Sequence, residues 1–279
     1  MRELDVREIC HCVEGLLRHA VCHVEDGVIL ALKEGLDRER SPFAKEVLSQ
    51  LLENNRLAAE RDRPICQDTG LAIVFLDIGQ EVCLIGGDLT AAVDAGVRQA
   101  YGEGYLRKSA VTPLLRENTG DNTPAILHAR IVPGDRVRIR VAPKGFGSEN
   151  MSRLAMLSPE RGMEGVLSTV VESVSLAGPN PCPPVVVGVG IGGSAESCAI
   201  LAKEQLLRPL GQPHPDGRMA ALEREALHRI NALGIGPMGL GGDTTALAVH
   251  MAEMPTHIAS LPVFVNMQCH AYRHGEETI

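Results

Sequence analysis

The chain has 279 residues, of which 44% are apolar and 22% charged, and its formal net charge is −8. The composition is typical of a globular protein, and the acidic balance argues against binding to nucleic acid or an anionic membrane. No window reaches the roughly 18 consecutive apolar residues of a membrane span. The charged N-terminus lacks the apolar segment of a signal peptide. These features predict a cytoplasmic protein whose eight cysteines act as thiols or metal ligands.

Helical periodicity dominates the first 60 residues. Apolar residues recur every three or four positions over 4–35, with a break expected at Asp26–Gly27. Ser41–Pro42 forms a typical helix start and predicts a second helix to about Ala59. The run Cys10–Cys12 could belong to a metal site, but the apolar stripe includes its first cysteine, which favours core packing.

A turn at Pro64–Gly70 places a cysteine, an amide and a carboxylate side by side, as Cys66, Gln67 and Asp68. A thiol beside an acid at a helix-to-strand junction is unusual for a packing role. Cys182 and Cys269 lie in similar settings, flanked by glycine or proline. We therefore expect these three cysteines to meet around a metal cluster.

The segment after the turn predicts strands, a helix and a long polar loop. The predicted strands and helix are 71–78, 81–85 with Cys83 in the core, helix 90–101, and a hairpin of 125–132 and 136–141. The block Arg107–Pro124 is too polar for the core and too long for a simple turn, which is typical of a functional loop. In Lys144–Asn150, Gly145 and Gly147 bracket an aromatic residue beside a lysine, so backbone N–H groups could face an anion. An ordinary glycine turn explains this segment equally well.

A nucleotide-binding pattern occurs later in the chain. Gly188, Gly190 and Gly193 satisfy G-x-G-x-x-G between a predicted strand and a predicted helix over 194–207. Three features disfavour a nucleotide: the strand has no βαβ pattern around it, no second strand ending in an acid follows about 20 residues later, and Pro-Cys-Pro-Pro precedes it. A glycine turn before a helix can bind carboxylates as well as phosphates.

The remaining elements complete a mixed architecture. They are predicted as helices 163–176, 216–233 and 246–251, a glycine-rich loop at 234–245 and a strand at 260–267. We expect an α/β (mixed α+β) fold with helices packed around a mixed β-sheet. We expect residues 1–279 to form one domain, as a single body or two lobes, because no linker is visible in the sequence.

Several of these stretches resemble the alpha subunit, or N-terminal half, of the class I iron–sulfur fumarases and L(+)-tartrate dehydratases. The matching stretches are 64–70, 107–124, 144–150, Cys182 with 188–203, and 234–274. They cover most of the chain, and such long unusual strings are more specific than a glycine fingerprint. The resemblance implies the alpha-type catalytic domain of an iron–sulfur hydro-lyase.

The resemblance implies a [4Fe-4S] cluster held by the thiolates of Cys66, Cys182 and Cys269. Thiolates are the usual ligands of such clusters, and the other five cysteines match none of the family motifs. Three ligands for four irons leave one iron open as a Lewis acid. The compact Cys-x-x-Cys spacing is absent, so three distant loops would assemble the cluster.

The resemblance also implies roles for residues outside the cluster. Arg107, His257 and the backbone around Gly145–Gly147 would hold substrate carboxylates, for which an arginine fork is well suited. Gln67 and Asp68 would contact the substrate or the leaving oxygen. Asp68 could also protonate departing hydroxide if its pKa is raised, or it could serve only as a turn cap.

The family implies a small dicarboxylate substrate, with fumarate hydration to (S)-malate favoured by its place in general metabolism, the tricarboxylic acid cycle. L(+)-tartrate dehydration to oxaloacetate is the alternative. Fused members carry a C-terminal half with further arginines, a lysine and the base, and this chain ends at Ile279 without it. We therefore expect a separate beta subunit and an alpha–alpha dimer within a heterotetramer.

Two other classes of protein remain to be distinguished from an iron–sulfur hydro-lyase. A non-catalytic cluster protein would show a fourth protein ligand and no arginine that binds carboxylate. A nucleotide-dependent enzyme would use Gly188–Gly193 and would bind nucleotide in a titration.

Overall fold

The structure, a computed structural model, describes all 279 residues and divides into two compact units. The first unit contains Met1–Val24, Asn55–Phe146 and Arg273–Ile279, and the second contains Glu25–Asn54 and Gly147–Tyr272. Each unit combines a four-stranded sheet with helices, which confirms the predicted mixed α/β class. None of the helices combines the length and hydrophobicity that crossing a membrane requires.

The helices and strands follow one another in a mixed order. In chain order they are β1 (Arg2–Asp5), α1 (Val6–Cys22), α2 (Asp26–Arg38), α3 (Pro42–Arg61), β2 (Leu71–Gly79), β3 (Val82–Ile85), α4 (Leu89–Glu103), β4 (Ile126–Val132), β5 (Val137–Lys144), α5 (Phe146–Glu149), β6 (Arg153–Leu157), α6 (Gly162–Ala177), β7 (Val185–Gly192), α7 (Ala195–Gln205), α8 (Gly217–Asn231), β8 (Ala246–Met254), β9 (Leu261–Gln268) and β10 (Gly275–Thr278). The Ser41 hydroxyl accepts a bond from the Ala44 N–H at 3.3 Å, which confirms the predicted start of α3. The predicted break in the helix over 4–35 is present but lies at residues 23–25, so Asp26 and Gly27 begin α2 and do not interrupt it.

The sheet of the first unit has the order β10-β5-β2-β4. Strand β2 is central and buried along almost its whole length, and α1 packs against β5 and α4. Alternate residues of β2 face this core, including Val74 and Leu76. The short strands β1 and β3 form a separate parallel pair.

The predicted hairpin of β4 and β5 is wrong, because β2 lies between them. Strand β2 runs parallel to β4 and antiparallel to β5. The Pro-Gly-Asp turn passes around the end of β2, where the Gly79 N–H donates to Arg136 and the Gln80 N–H to Val132. The Pro-Gly-Asp turn itself agrees with the prediction. The error arises because the buried apolar strand β2 pairs with a strand on each side, and local sequence does not show which strands pair.

The sheet of the second unit has the order β6-β9-β7-β8. Strand β7 is buried at every position, runs parallel to β8 and antiparallel to β9, and packs against α7. Helices α6 and α8 pack together and contribute to the core of this unit. This core is aliphatic, as the scarcity of aromatic residues requires.

Two expectations for the second unit are corrected. The segment 246–251, predicted as a helix, belongs to strand β8, because a short apolar run cannot be assigned by periodicity alone. Strands β7 and β8 are parallel and connected through α7 and α8. A β-α-β pattern therefore does surround the glycine fingerprint, contrary to the expectation from sequence.

Candidate active site

The turn Pro64–Gly70 is fixed by the carboxylate of Asp68. Its Oδ1 accepts a bond from the Gly70 N–H at 3.0 Å, and its Oδ2 accepts one from the Phe146 N–H at 2.9 Å. Gly70 has a φ of +73°, and a Cβ added there would lie 2.3 Å from the carbonyl atoms of Lys144. Only glycine fits this approach. The turn is therefore held against the segment that contains Gly145.

The polar loop 107–124 is tied to the same turn by Asn122. This side chain is fully buried; its Oδ1 accepts bonds from the N–H groups of Ser109 at 2.7 Å and Ala110 at 3.1 Å. Its Nδ2 donates to the Gly70 carbonyl at 3.1 Å. The Thr69 hydroxyl donates to the Arg107 carbonyl at 3.1 Å. These bonds place the backbone of Arg107 beside the turn.

The side chains of this turn and of Arg107 differ in exposure. Gln67 and Arg107 are exposed, while Cys66 and Asp68 are half-buried. The Cys66 Sγ lies 3.5 Å from the Gln67 Oε1. The first unit thus brings together Cys66, Gln67, Asp68, Arg107 and Gly145.

Two buried cations lie beside Gly145, and neither is among the site residues predicted from sequence. Lys144 and Arg273 are each 2% exposed. The Lys144 Nζ donates to the Gly145 carbonyl at 3.4 Å, and an Arg273 Nη2 lies 3.4 Å from where a Cβ on Gly145 would be. The Asp68 Oδ2 lies 3.1 Å from the same Cβ position on Gly145. The sequence could have indicated both cations, because Arg273 follows the predicted ligand Cys269 by four residues and Lys144 directly precedes the predicted site residue Gly145.

The second unit holds the other two candidate cysteines at one end of its sheet. Cys182 precedes β7 and Cys269 follows β9, and the register of these antiparallel strands pairs Val186 with Gln268. The carbonyl of Cys182 accepts a bond from the His270 N–H at 3.3 Å. Both cysteines are half-buried, and Cys182 has a positive φ of 54°. The two cysteine loops are therefore neighbours.

Gly147 and His257 occupy different places in the second unit. A Cβ on Gly147 would lie 3.4 Å from the carbonyl oxygen of Asn180, close to the Cys182 loop. His257 is exposed in the turn after β8. The last residue of β8, Met254, pairs with Gly192 at the C-terminal end of β7, whereas Cys182 precedes the N-terminal end of β7. Strand β7 has eight residues, which separates the two ends by roughly 25 Å. The structure does not bring His257 to the cysteine loops of the same chain.

The eight cysteines are all free of disulfide bonds, and burial divides them. Four are buried: Cys10, Cys12, Cys22 and Cys198. Burial raises the pKa of the Cys12 thiol to about 12 and that of the Cys22 and Cys198 thiols to about 11. These groups remain neutral thiols in the core, which confirms the core assignment of Cys10 and Cys12. Cys83, expected in the core, is only half-buried in β3.

The structure contains no group of three His, Cys, Asp or Glu side chains arranged to hold a metal ion. Cys66 belongs to the first unit, whereas Cys182 and Cys269 belong to the second, so the meeting of the three thiols remains a prediction. Their donor chemistry fits a metal cluster, because all three are half-buried thiols on loops.

The glycine fingerprint serves packing. Gly188 and Gly190 are buried inside β7, where a Cβ would lie 2.3 Å from the Ala202 carbonyl oxygen and 2.1 Å from that of Cys198, respectively. Both carbonyls belong to α7. These glycines let the helix lie directly on the strand and do not form an open phosphate loop, so the nucleotide hypothesis loses its main support.

The fold and these loops define an α/β protein whose first unit holds a fixed carboxylate and a loop thiol with two buried cations, and whose second unit holds two further loop thiols. The model of the family described as fumarate hydratase (Fumerase) matches residues 11–278. The chain belongs to this family and is a hydro-lyase.

Curated relatives match along almost the whole chain. It is 44% identical to the putative L(+)-tartrate dehydratase subunit alpha of Methanocaldococcus jannaschii, covering 98% of both chains. It is 36% identical to the L(+)-tartrate dehydratase subunit alpha of Escherichia coli K12, covering 98% of this chain and 91% of the relative. The same values hold for the corresponding protein of Shigella sonnei.

Proposed function

We propose that this chain is the alpha subunit of a [4Fe-4S]-dependent hydro-lyase that reversibly hydrates fumarate to (S)-malate. The observation that carries the proposal is the fixed turn that presents Cys66, Gln67 and Asp68 beside the buried cations Lys144 and Arg273. A dicarboxylate and a thiolate-bound cluster are both negative, so a centre with buried positive charge favours them. The family match over residues 11–278 supports the reaction class.

Cys66, Cys182 and Cys269 would hold the cluster. They differ from the four core cysteines in lying on loops, and two of these loops are neighbours. When bound, the cluster would supply a Lewis acid at an open iron to polarise the substrate hydroxyl. The remaining chemistry depends on the side chains around it.

The exposed Arg107 would clamp one substrate carboxylate through its planar guanidinium. Backbone N–H groups at Gly145 and Gly147 would add hydrogen bonds to the substrate. Gln67 would orient the substrate hydroxyl. Asp68, whose two oxygens are fixed by backbone bonds, would exchange a proton with the leaving oxygen.

His257 would act from a second copy of the chain. It lies at the opposite end of β7 from the cysteine loops, so a carboxylate contact at the cluster requires another protomer. This agrees with an alpha–alpha dimer. The relatives named as alpha subunits support a beta subunit that completes the site with the base.

The names of the relatives favour an alternative substrate, L(+)-tartrate, in place of fumarate. The discriminating experiment is to prepare the chain with its beta subunit under anaerobic conditions and to measure kcat/KM for fumarate, (S)-malate and L(+)-tartrate. We expect turnover of fumarate and malate with loss of activity after exposure to air. Turnover of tartrate alone would replace fumarate as substrate, and inactivity of a cluster-loaded complex on all three would refute the proposal.

A further inference from the structure

Arg273 contributes buried positive charge to the proposed site, but the proposed function gives its side chain no contact. It is 2% exposed, and its Nε, Nη1 and Nη2 atoms have no hydrogen-bond partner in the protein. Burying a guanidinium without compensation is costly. The charges around Arg273 therefore decide how this cost is offset.

The carboxylate that Arg273 faces is that of Asp68. Both an Arg273 Nη2 and the Asp68 Oδ2 lie within 3.5 Å of the point where a side chain on Gly145 would begin. The absence of a side chain at this glycine leaves the space between the two charges open. The two groups make no direct bond, since the Asp68 oxygens accept from the N–H groups of Gly70 and Phe146.

The other polar groups at this place are already engaged. The Lys144 Nζ donates to the Gly145 carbonyl, and the Tyr101 hydroxyl donates to the carbonyls of Thr69 and Gly70. Burial raises the pKa of Tyr101; the charge of Arg273 opposes this rise and that of Asp68 adds to it. Both charges therefore act on one buried hydroxyl, which lies against the backbone of the turn.

We propose that Arg273 is a positioning residue that holds the Asp68 carboxylate through charge, and that it does not itself bind substrate. Its guanidinium nitrogens are inaccessible, whereas Gln67 and Arg107 are exposed. Arg273 lies beside Gly145 and favours one orientation of Asp68 toward the reacting atoms. The catalytic part of this inference rests on the proposed function; the charge coupling does not.

The coupling is tested by thermal unfolding of the full chain in a double-mutant cycle of Asp68→Asn and Arg273→Met. Asn removes the negative charge and leaves Arg273 uncompensated, so Asp68→Asn should lower Tm. In a chain that already carries Arg273→Met, Asp68→Asn should lower Tm by at most about half as much, because the charge that Asp68 compensates is already gone. Substitutions of coupled neighbours are not additive. The matched control is Arg140→Met, a buried arginine of the same unit that pairs with Asp77. It should leave the effect of Asp68→Asn unchanged. An equal loss in all three backgrounds would refute the coupling.

The positioning role is tested by kinetics of the chain assembled with its beta subunit. Arg273→Met should lower kcat by about 100-fold, the cost of a misplaced catalytic group. KM should stay within about twofold of wild type, because substrate binding is not removed. Arg273→Lys keeps the charge and should recover part of kcat.

A raised KM with unchanged kcat would show that Arg273 binds substrate and would overturn the positioning role. If the coupling is present but the wild-type complex has no hydro-lyase activity, the proposed function fails and the charge pair stands.

Discussion

At the residue scale, burial separates the cysteines more clearly than sequence spacing does. Burial raises the pKa of the Cys12, Cys22 and Cys198 thiols, and a protonated thiol is a poor ligand. Cys66, Cys182 and Cys269 are half-buried on loops. Burial therefore sets the four core thiols apart, and the assignment of Cys66, Cys182 and Cys269 as ligands stays a prediction.

The ligand assignment predicts iron content. Cys66→Ser, Cys182→Ser and Cys269→Ser should each lower the iron bound after anaerobic reconstitution severalfold, because a serine oxygen is a poorer iron ligand than a thiolate. Cys83→Ser is the matched control, since this cysteine is also half-buried but lies in β3. Iron analysis and the visible absorbance of the cluster provide the measurement. Equal iron in all four variants would contradict the assignment.

At the element scale, a single side chain organises the polar loop. Asn122 bonds to three backbone groups and takes a left-handed φ of 65°, which asparagine tolerates better than most residues. The sequence predicted a functional loop from its length and polarity. It did not predict which residue orders the loop, because several asparagines and threonines in the block have the same local propensity.

Replacing Asn122 with alanine should remove the acceptor of the Ser109 and Ala110 N–H groups and one of the two donors to the Gly70 carbonyl, which keeps its bond from the Tyr101 hydroxyl. We expect a loss of about 1–3 kcal/mol in the free energy of unfolding and faster proteolysis within 107–124. The control is Asn118→Ala, because Asn118 also bonds to backbone but is exposed. Urea unfolding and limited proteolysis would measure both effects. Similar behaviour of the two variants would show that burial of Asn122 is not what orders the loop.

The contact between β7 and α7 gives a second element-scale prediction. A Cβ at Gly190 would lie 2.1 Å from the Cys198 carbonyl oxygen, so Gly190→Ala should destabilise the protein by about 1–3 kcal/mol through overpacking. Gly15→Ala in α1 is the control, since nothing lies within 4 Å of its added Cβ. It should be neutral or stabilise by up to about 1 kcal/mol. Nucleotide binding by the wild-type chain in a titration would contradict the packing role.

At the scale of the whole molecule, the position of His257 predicts that two copies share each site. We would co-express Cys182→Ser and His257→Asn chains with the beta subunit. Each variant alone should be nearly inactive. About half of randomly formed dimers are mixed, and each mixed dimer has one intact site of two, so activity should return to about a quarter of wild type.

Two controls define this complementation. Cys182→Ser combined with Cys269→Ser should give no recovery, because both changes fall on loops of the same chain that are neighbours in the second unit. Absence of recovery in the Cys182→Ser and His257→Asn mixture, with mixed dimers verified by tagged purification, would show that His257 does not contribute from a second copy.

The sequence by itself determined the fold class, most helix positions and the turn that carries Cys66, Gln67 and Asp68. These features depend on local periodicity, capping and turn residues, which the chain shows directly. Family resemblance then gave the reaction class, which the comparisons confirm.

Only the tertiary structure decided the position of β2 between β4 and β5, the strand at 246–251 and the packing role of Gly188 and Gly190. It also revealed the buried charge of Arg273 beside Asp68. Strand pairing and buried charge depend on residues far apart in the chain, so local sequence does not determine them.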